Sequence, residues 1–153
     1  MEVSGIIVGV DGSHYAQRAL EWGMEEAAIR HVPITVIAVC QPVFGFWGNA
    51  DPYPIDRVPA AGTQAGRALR MAREAADKAL AGLGEDRSVS VTVKVVSGNP
   101  GVEILDAARD ASMIVVGARG MGGFARLLMG SVSTHLTYHA RCPVVVIPAD
   151  DRG

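Results

Sequence analysis

Apolar positions along the chain fall into short unbroken runs separated by longer stretches of helical period. Gly5–Val10 (GIIVGV), Ile34–Cys40 (ITVIAVC), Met113–Val116 (MIVV) and Val144–Ile147 (VVVI) are continuous apolar runs, the pattern of strands covered on both faces. Ser88–Val96 (SVSVTVKVV) alternates with period two and reads as a half-exposed or edge strand. Between the runs, Ala16, Leu20, Gly23, Met24 and Ala27 recur at spacings of three and four, which predicts an amphipathic helix from His14 to about Arg30. Asp11-Gly12-Ser13 is a tight turn before it, Ser13 suits the cap, and Pro33 blocks continuation. A second helix is predicted from about Thr63 to Leu83, with Leu69, Ala72, Ala76, Leu80 and Leu83 as its buried stripe and Gly82 and Gly84 at its end. Gly98-Asn99-Pro100 turns the chain into a third, with Pro100 in its first turn and Val102, Leu105 and Ala108 facing inward. A fourth is expected from Ser131, as its cap, to about Ala140. Pro148 ends the last strand.

Strands alternating with helices imply right-handed crossovers and a parallel sheet with helices on both faces. In such sheets ligands bind beyond the carboxyl ends of the strands, where the strand order reverses. The loops after the first, second and fourth strands are therefore the ones to watch. Gln41 to about Gly62 shows neither period and holds four prolines together with Phe44, Phe46, Trp47 and Tyr53, half of the protein's aromatic residues. A loop of that length in a compact domain is functional or mobile. A lid over a ligand and simple packing on its own domain both remain open. No internal repeat is visible.

Composition narrows the class. The 153 residues suit one domain with a real core. Hydrophobic residues make up 49% and charged residues 20%, which argues against disorder. A net charge of −2 gives no basic field to attract nucleic acid. No apolar run approaches the roughly 18 residues of a membrane span, and the N-terminus lacks the charged and apolar regions of a signal peptide. A soluble cytoplasmic protein is the expectation. A disulfide between Cys40 and Cys142 is open in principle, but both lie in apolar strand-like runs, which favours two buried free thiols in a reducing compartment.

The richest chemistry sits in Met113–Ser133, MIVVGARGMGGFARLLMGSVS. A buried strand leads into a loop bearing Gly117, Gly120, Gly122, Gly123 and Gly130, and then into a helix start at Ser131. Glycines let backbone N–H groups approach a phosphate, and a helix N-terminus leaves such groups free to point at one. Arg119 and Arg126 add charge and fork-shaped donors, for phosphate or for solvent. The P-loop pattern is absent, because Gly130-Ser131 lacks the preceding-position lysine. Gly120-x-Gly122-x-x-Ala125 resembles a dinucleotide fingerprint but follows the fourth strand, with the helix resuming too late. Asp11, at the carboxyl end of the first strand, is a turn residue or a ligand-facing acid. His135 and His139 lie four apart on one helix, the spacing of a metal pair, but no acidic or cysteine partner accompanies them in sequence, and ordinary surface or packing roles are expected. Nothing specifies an efficient hydrolase. The last strand is short, apolar and at an edge if the sheet is ordered as below, which invites pairing with another chain.

On these residues the chain resembles the universal stress protein family, in its nucleotide-binding branch. That branch carries G-x2-G-x9-G-S/T, here Gly117, Gly120, Gly130 and Ser131. IIVGVDGS, GNP at Gly98–Pro100 and the terminal CPVVVIP match as well, so the resemblance runs from about Gly5 to Pro148. It implies a single α/β domain, core about 5–148, with a five-stranded parallel sheet in the order 3-2-1-4-5, Rossmann-like and of the adenine nucleotide alpha hydrolase type. It implies ATP with Mg2+ as ligand and a homodimer through Val144–Ile147. Carried over residue by residue, Asp11 lies near the ribose or the phosphate-bound Mg2+, with Gly12 and Ser13 beside it. The backbone of Val39 recognises adenine, and Val116 and Gly117 line the adenosine. Gly120 and Gly130 approach the phosphates, Arg119 lies between them, and Ser131, Val132 and Ser133 supply donors. The expected role is nucleotide-linked regulation in a stress response through an unknown protein partner. AMP or cyclic AMP as ligand, slow ATP hydrolysis, and a dimerising module without nucleotide are the alternatives.

Overall fold

In the computed structural model the described residues are 4–41, 59–120 and 129–148. Gly122, Gly123, Arg126 and most of the aromatic loop lie outside them. The chain runs β1 (Ile6–Val10), α1 (His14–Arg30), β2 (Ile34–Cys40), α2 (Gln64–Ala81), β3 (Val91–Ser97), α3 (Pro100–Ala107), β4 (Met113–Gly117), α4 (Ser131–His139) and β5 (Val144–Ile147). The strands form one parallel sheet ordered β3-β2-β1-β4-β5. The order predicted by resemblance is the order found.

The three inner strands are the unbroken apolar runs, and they are covered twice. On one face α1 and α2 bury Val8, Val10, Ile34, Val36 and Val115. On the other, α3 and α4 bury Ile7, Ile37, Ile114 and Val116 under Ile104, Ala108 and Leu136. Every residue of the α1 stripe read from sequence is buried, with Ala19 added. β3, at the edge, alternates half-buried and exposed positions over most of its length, as its period-two pattern predicts. β5 forms the other edge, and all four of its residues are half-buried.

Two helices pack differently from their expected stripes. On α2, Leu69 and Leu80 are only half-buried, and Ala65, Gly66, Ala72, Ala76 and Ala79 face the sheet. Small residues bring this helix close to the strands. On α3, Val102 is 46% exposed and Leu105 half-buried, while Gly101, Ile104 and Ala108 are buried. Pro100 opens the helix, and 3.6 residues per turn places Gly101, Ile104 and Ala108 on the one side that packs inward.

Candidate functional site

The carboxyl end of β1 is a hydrogen-bonded turn. The Asp11 carboxylate oxygen Oδ1 accepts from the Ser13 backbone N–H at 2.9 Å and from the Ser13 hydroxyl at 2.6 Å. The Ser13 hydroxyl oxygen in turn accepts from the Ala16 N–H at 3.2 Å and caps α1, as read from sequence. Gly12, between them, has φ +89°, a left-handed conformation that glycine adopts without strain. The carboxylate is thus fixed by one oxygen, and the other is aimed across the sheet end. A Cβ built on Gly120 would lie 2.5 Å from Asp11 Oδ2. Two segments far apart in sequence, the turn after β1 and the glycine loop after β4, therefore meet at one point.

The glycine loop is closed at its base by the Ala118 carbonyl. Its oxygen accepts from the Gly130 N–H at 2.5 Å, and the buried Ser133 hydroxyl lies within hydrogen-bond distance of it at 3.1 Å. Ala118 N–H donates to the Ile147 carbonyl at 2.8 Å, which ties the loop to the end of β5. Gly117 is held on its other side. A Cβ there would come within 2.9 Å of the Tyr15 backbone, so a glycine admits the first turn of α1 against the end of β4.

α4 starts at Ser131, as expected, but Ser131 is not its cap. Gly130, extended at φ −78° and ψ 174°, is the cap, and Ser131 is the first helical residue. The Gly130 carbonyl accepts from the Thr134 N–H and hydroxyl, and no side chain caps the first turn. Ser133, expected to add a hydroxyl toward a ligand, turns that hydroxyl to the Ala118 and Gly130 carbonyls. The donors this end offers are backbone N–H groups, with the positive end of the helix dipole behind them.

The remaining candidates divide between two settings. Val116, Val39 and Val132 pack into the same apolar cluster beneath α3 and α4, which brings together three positions singled out in sequence. Arg119 is half-exposed between Ala118 and Gly120. Cys40, beside Val39, is buried, and burial pushes its thiol up from the ordinary value, so it stays protonated and unreactive at neutral pH. No disulfide links it to Cys142, which, against the expectation of two buried thiols, is only half-buried because it precedes the edge strand β5. Among the described residues no group of three or more His, Cys, Asp or Glu side chains gathers for a metal ion. A single carboxylate fits an ion held mainly by phosphate oxygens and water. Among the described residues no helix is long and apolar enough to cross a membrane.

Sequence reasoning missed the Ala118 carbonyl, the Tyr15 backbone contact and a cavity of about 370 Å3 beside the turn, lined by Gly12, Ser13, Gln17, Met71 and Lys78. None has a signal in residue type. A larger groove, about 550 Å3, lies between the carboxyl ends of α3 and α4, beside Ile114 near the start of β4. It is at the amino ends of the strands, away from Asp11 and Gly120, and the usual ligand position in such sheets is the carboxyl end.

The family model described as the universal stress protein family matches residues 4–148. The chain belongs to the universal stress protein family. A universal stress protein of Mycolicibacterium smegmatis is 38% identical over 149 residues, which are 97% of this chain and 49% of that protein. This universal stress chain spans about half the length of the curated relatives it matches. A solved universal stress protein in complex with cAMP is 25% identical with a TM-score of 0.67, covering 94% of this chain and 96% of that one. One from Archaeoglobus fulgidus in complex with dAMP is 27% identical with a TM-score of 0.65, covering 96% and 99%.

Proposed function

We propose that the chain binds an adenine nucleotide across the carboxyl ends of β1, β2 and β4 and acts as a nucleotide-linked regulator in the cytoplasmic stress response. The observation that carries this is the loop closure. The Gly130 N–H bond to Ala118 places a helix start with no side-chain cap beside a glycine loop that touches the fixed Asp11 carboxylate. Backbone N–H groups of Ser131, Val132 and Ser133 would take phosphate oxygens, with Gly120 and Gly130 allowing close approach. Val116 and Gly117 would line the adenosine and the Val39 backbone would read adenine. Asp11, with Gly12 and Ser13 holding it, would face the ribose or a Mg2+ shared with the phosphates. The edge position of the apolar strand β5 supports a homodimer through Val144–Ile147. A change of surface on nucleotide binding would be read by a protein partner, and nothing favours nucleic acid.

ATP with Mg2+ is the first ligand, because a loop and a helix start together offer more phosphate donors than one phosphate uses. The solved relatives with cAMP and dAMP favour a monophosphate as second reading. The test is to denature freshly purified protein and resolve the released nucleotides by anion exchange. ATP near one per chain supports the first reading, and AMP or cAMP the second. ADP formed from added ATP and lost in Gly130→Asp would mark slow hydrolysis. No released nucleotide together with a flat titration would leave a dimerising module and overturn the proposal.

A further inference from the structure

Two histidines of α4 take no part in the nucleotide site. His135 and His139 stand one turn apart on the same face of the helix, with ring centroids 4.5 Å apart and planes inclined at 43°. Residues four apart on a helix have Cβ atoms about 5–6 Å apart, so one ion can reach both rings. The face is turned to α3. His135 is half-buried there, and its Cδ2 lies 2.6 Å from where a Cβ on Gly101 would be. The α3 backbone thus limits the swing of that ring. His139 is exposed and lines the groove of about 550 Å3 at the carboxyl ends of α3 and α4. Neither imidazole makes a hydrogen bond among the described residues, so the ring nitrogens are not committed elsewhere.

Among the described residues no acidic side chain joins the two imidazoles as a third ligand. Asp106 and Asp110 line the same groove as His139. Asp106 is paired with Arg109 at 3.3 Å, which offsets that arginine's charge, and Asp110 faces the groove with Arg141. We propose that His135 and His139 form a bidentate site for a divalent transition-metal ion of the copper, nickel and zinc class, its remaining positions filled by water. Neutral imidazole suits these ions, whereas Mg2+ takes oxygen ligands, so the site is separate from any nucleotide-bound magnesium. One ring held against α3 and a second one turn away bind as a chelate, because the second bond forms at high effective concentration. Holding two adjacent turns of α4 together also stiffens the helix that begins at Ser131.

The test is calorimetric titration of Zn2+ into the full, nucleotide-free chain, with electron paramagnetic resonance of one equivalent of Cu2+. The expected result is one saturable site per chain and a copper signal split by two nitrogens. His139→Gln, at an exposed position, should weaken binding on the order of tenfold or more and leave one nitrogen, with the circular dichroism unchanged. Gly101→Ala, which presses on the His135 ring, should also weaken it. His31→Asn, at the far end of α1, should change nothing. Absence of saturable uptake, or a His139→Gln protein that binds Zn2+ as tightly as the parent, would overturn the proposal.

Discussion

Replacing Gly120 with alanine tests whether the turn after β1 and the glycine loop meet as described. The new Cβ would lie 2.5 Å from Asp11 Oδ2, well inside van der Waals contact. The carboxylate has little room to yield, because Oδ1 is held at 2.6 and 2.9 Å by the residue that caps α1. If the carboxylate rotates, those charge-assisted bonds weaken. If the loop retreats, the Gly130–Ala118 closure is strained. Overpacking of this kind costs about 1–3 kcal/mol, and the solvent exposure of Asp11 favours the lower part, about 1–2 kcal/mol. For a domain of this size that lowers the Tm by about 2–8 °C. The decisive assay is a double-mutant cycle by urea unfolding. In an Asp11→Ala background the clash has no partner, so Gly120→Ala should cost little, with a coupling of about 1 kcal/mol or more. An equal cost in both backgrounds would show that the two residues do not touch and would refute the geometry.

Gly117→Ala should be harder to absorb, because its neighbour at 2.9 Å is the Tyr15 backbone rather than a side chain. A loss of about 1–3 kcal/mol is expected, whereas Gly62→Ala, with nothing within 4 Å, should be neutral within error in the same unfolding assay. Ser133→Ala removes a buried hydroxyl bonded at the base of the loop. It should cost about 1–3 kcal/mol, since the Ala118 carbonyl loses a partner, and should weaken nucleotide binding in calorimetry although the backbone donors remain. Cys40 should alkylate slowly in the native state at neutral pH and quickly once unfolded. Its folded pKa is raised, so the stability it contributes is fully present at neutral pH and is lost as pH rises past the ordinary thiol value into the alkaline range. Unfolding midpoints measured from neutral to alkaline pH check the sign.

Strand content was legible because burial on both faces leaves an unbroken apolar run, as in Ile34–Cys40, and the β3 edge leaves alternation over Val91–Ser97, although the β5 edge keeps an unbroken run. The phase of α3 was not. Val102, Ile104 and Leu105 are all apolar, and an eight-residue helix has too few positions to fix a stripe. The phase is set by packing, with Ile104 seated over Gly9 and Gly101 under His135. The glycine spacing exposed the loop but not what closes it, since the Ala118 carbonyl is a backbone group that every residue carries. Helix-cap preference pointed to Ser131 over Gly130. Gly130 takes the cap in an extended conformation and has no side chain to accept from the first-turn N–H groups, which leaves those donors without a side-chain acceptor. The contact between Asp11 and Gly120 arises from sheet order, with β1 and β4 adjacent, and no local pattern encodes it.

The central claim is that an adenine nucleotide sits with its phosphates at the start of α4 and its nucleoside toward β1 and β4. The most direct measurement is a titration of the 15N-labelled chain with ATP and Mg2+, following backbone amide signals. The account predicts saturable shifts at Gly120, Gly130 and Ser131–Ser133, with further shifts at Asp11–Ser13, Val39 and Val116–Gly117, and none at Asp106–Asp110 in the distant groove. Shifts confined to that groove, or none at any amide at millimolar nucleotide, would contradict it.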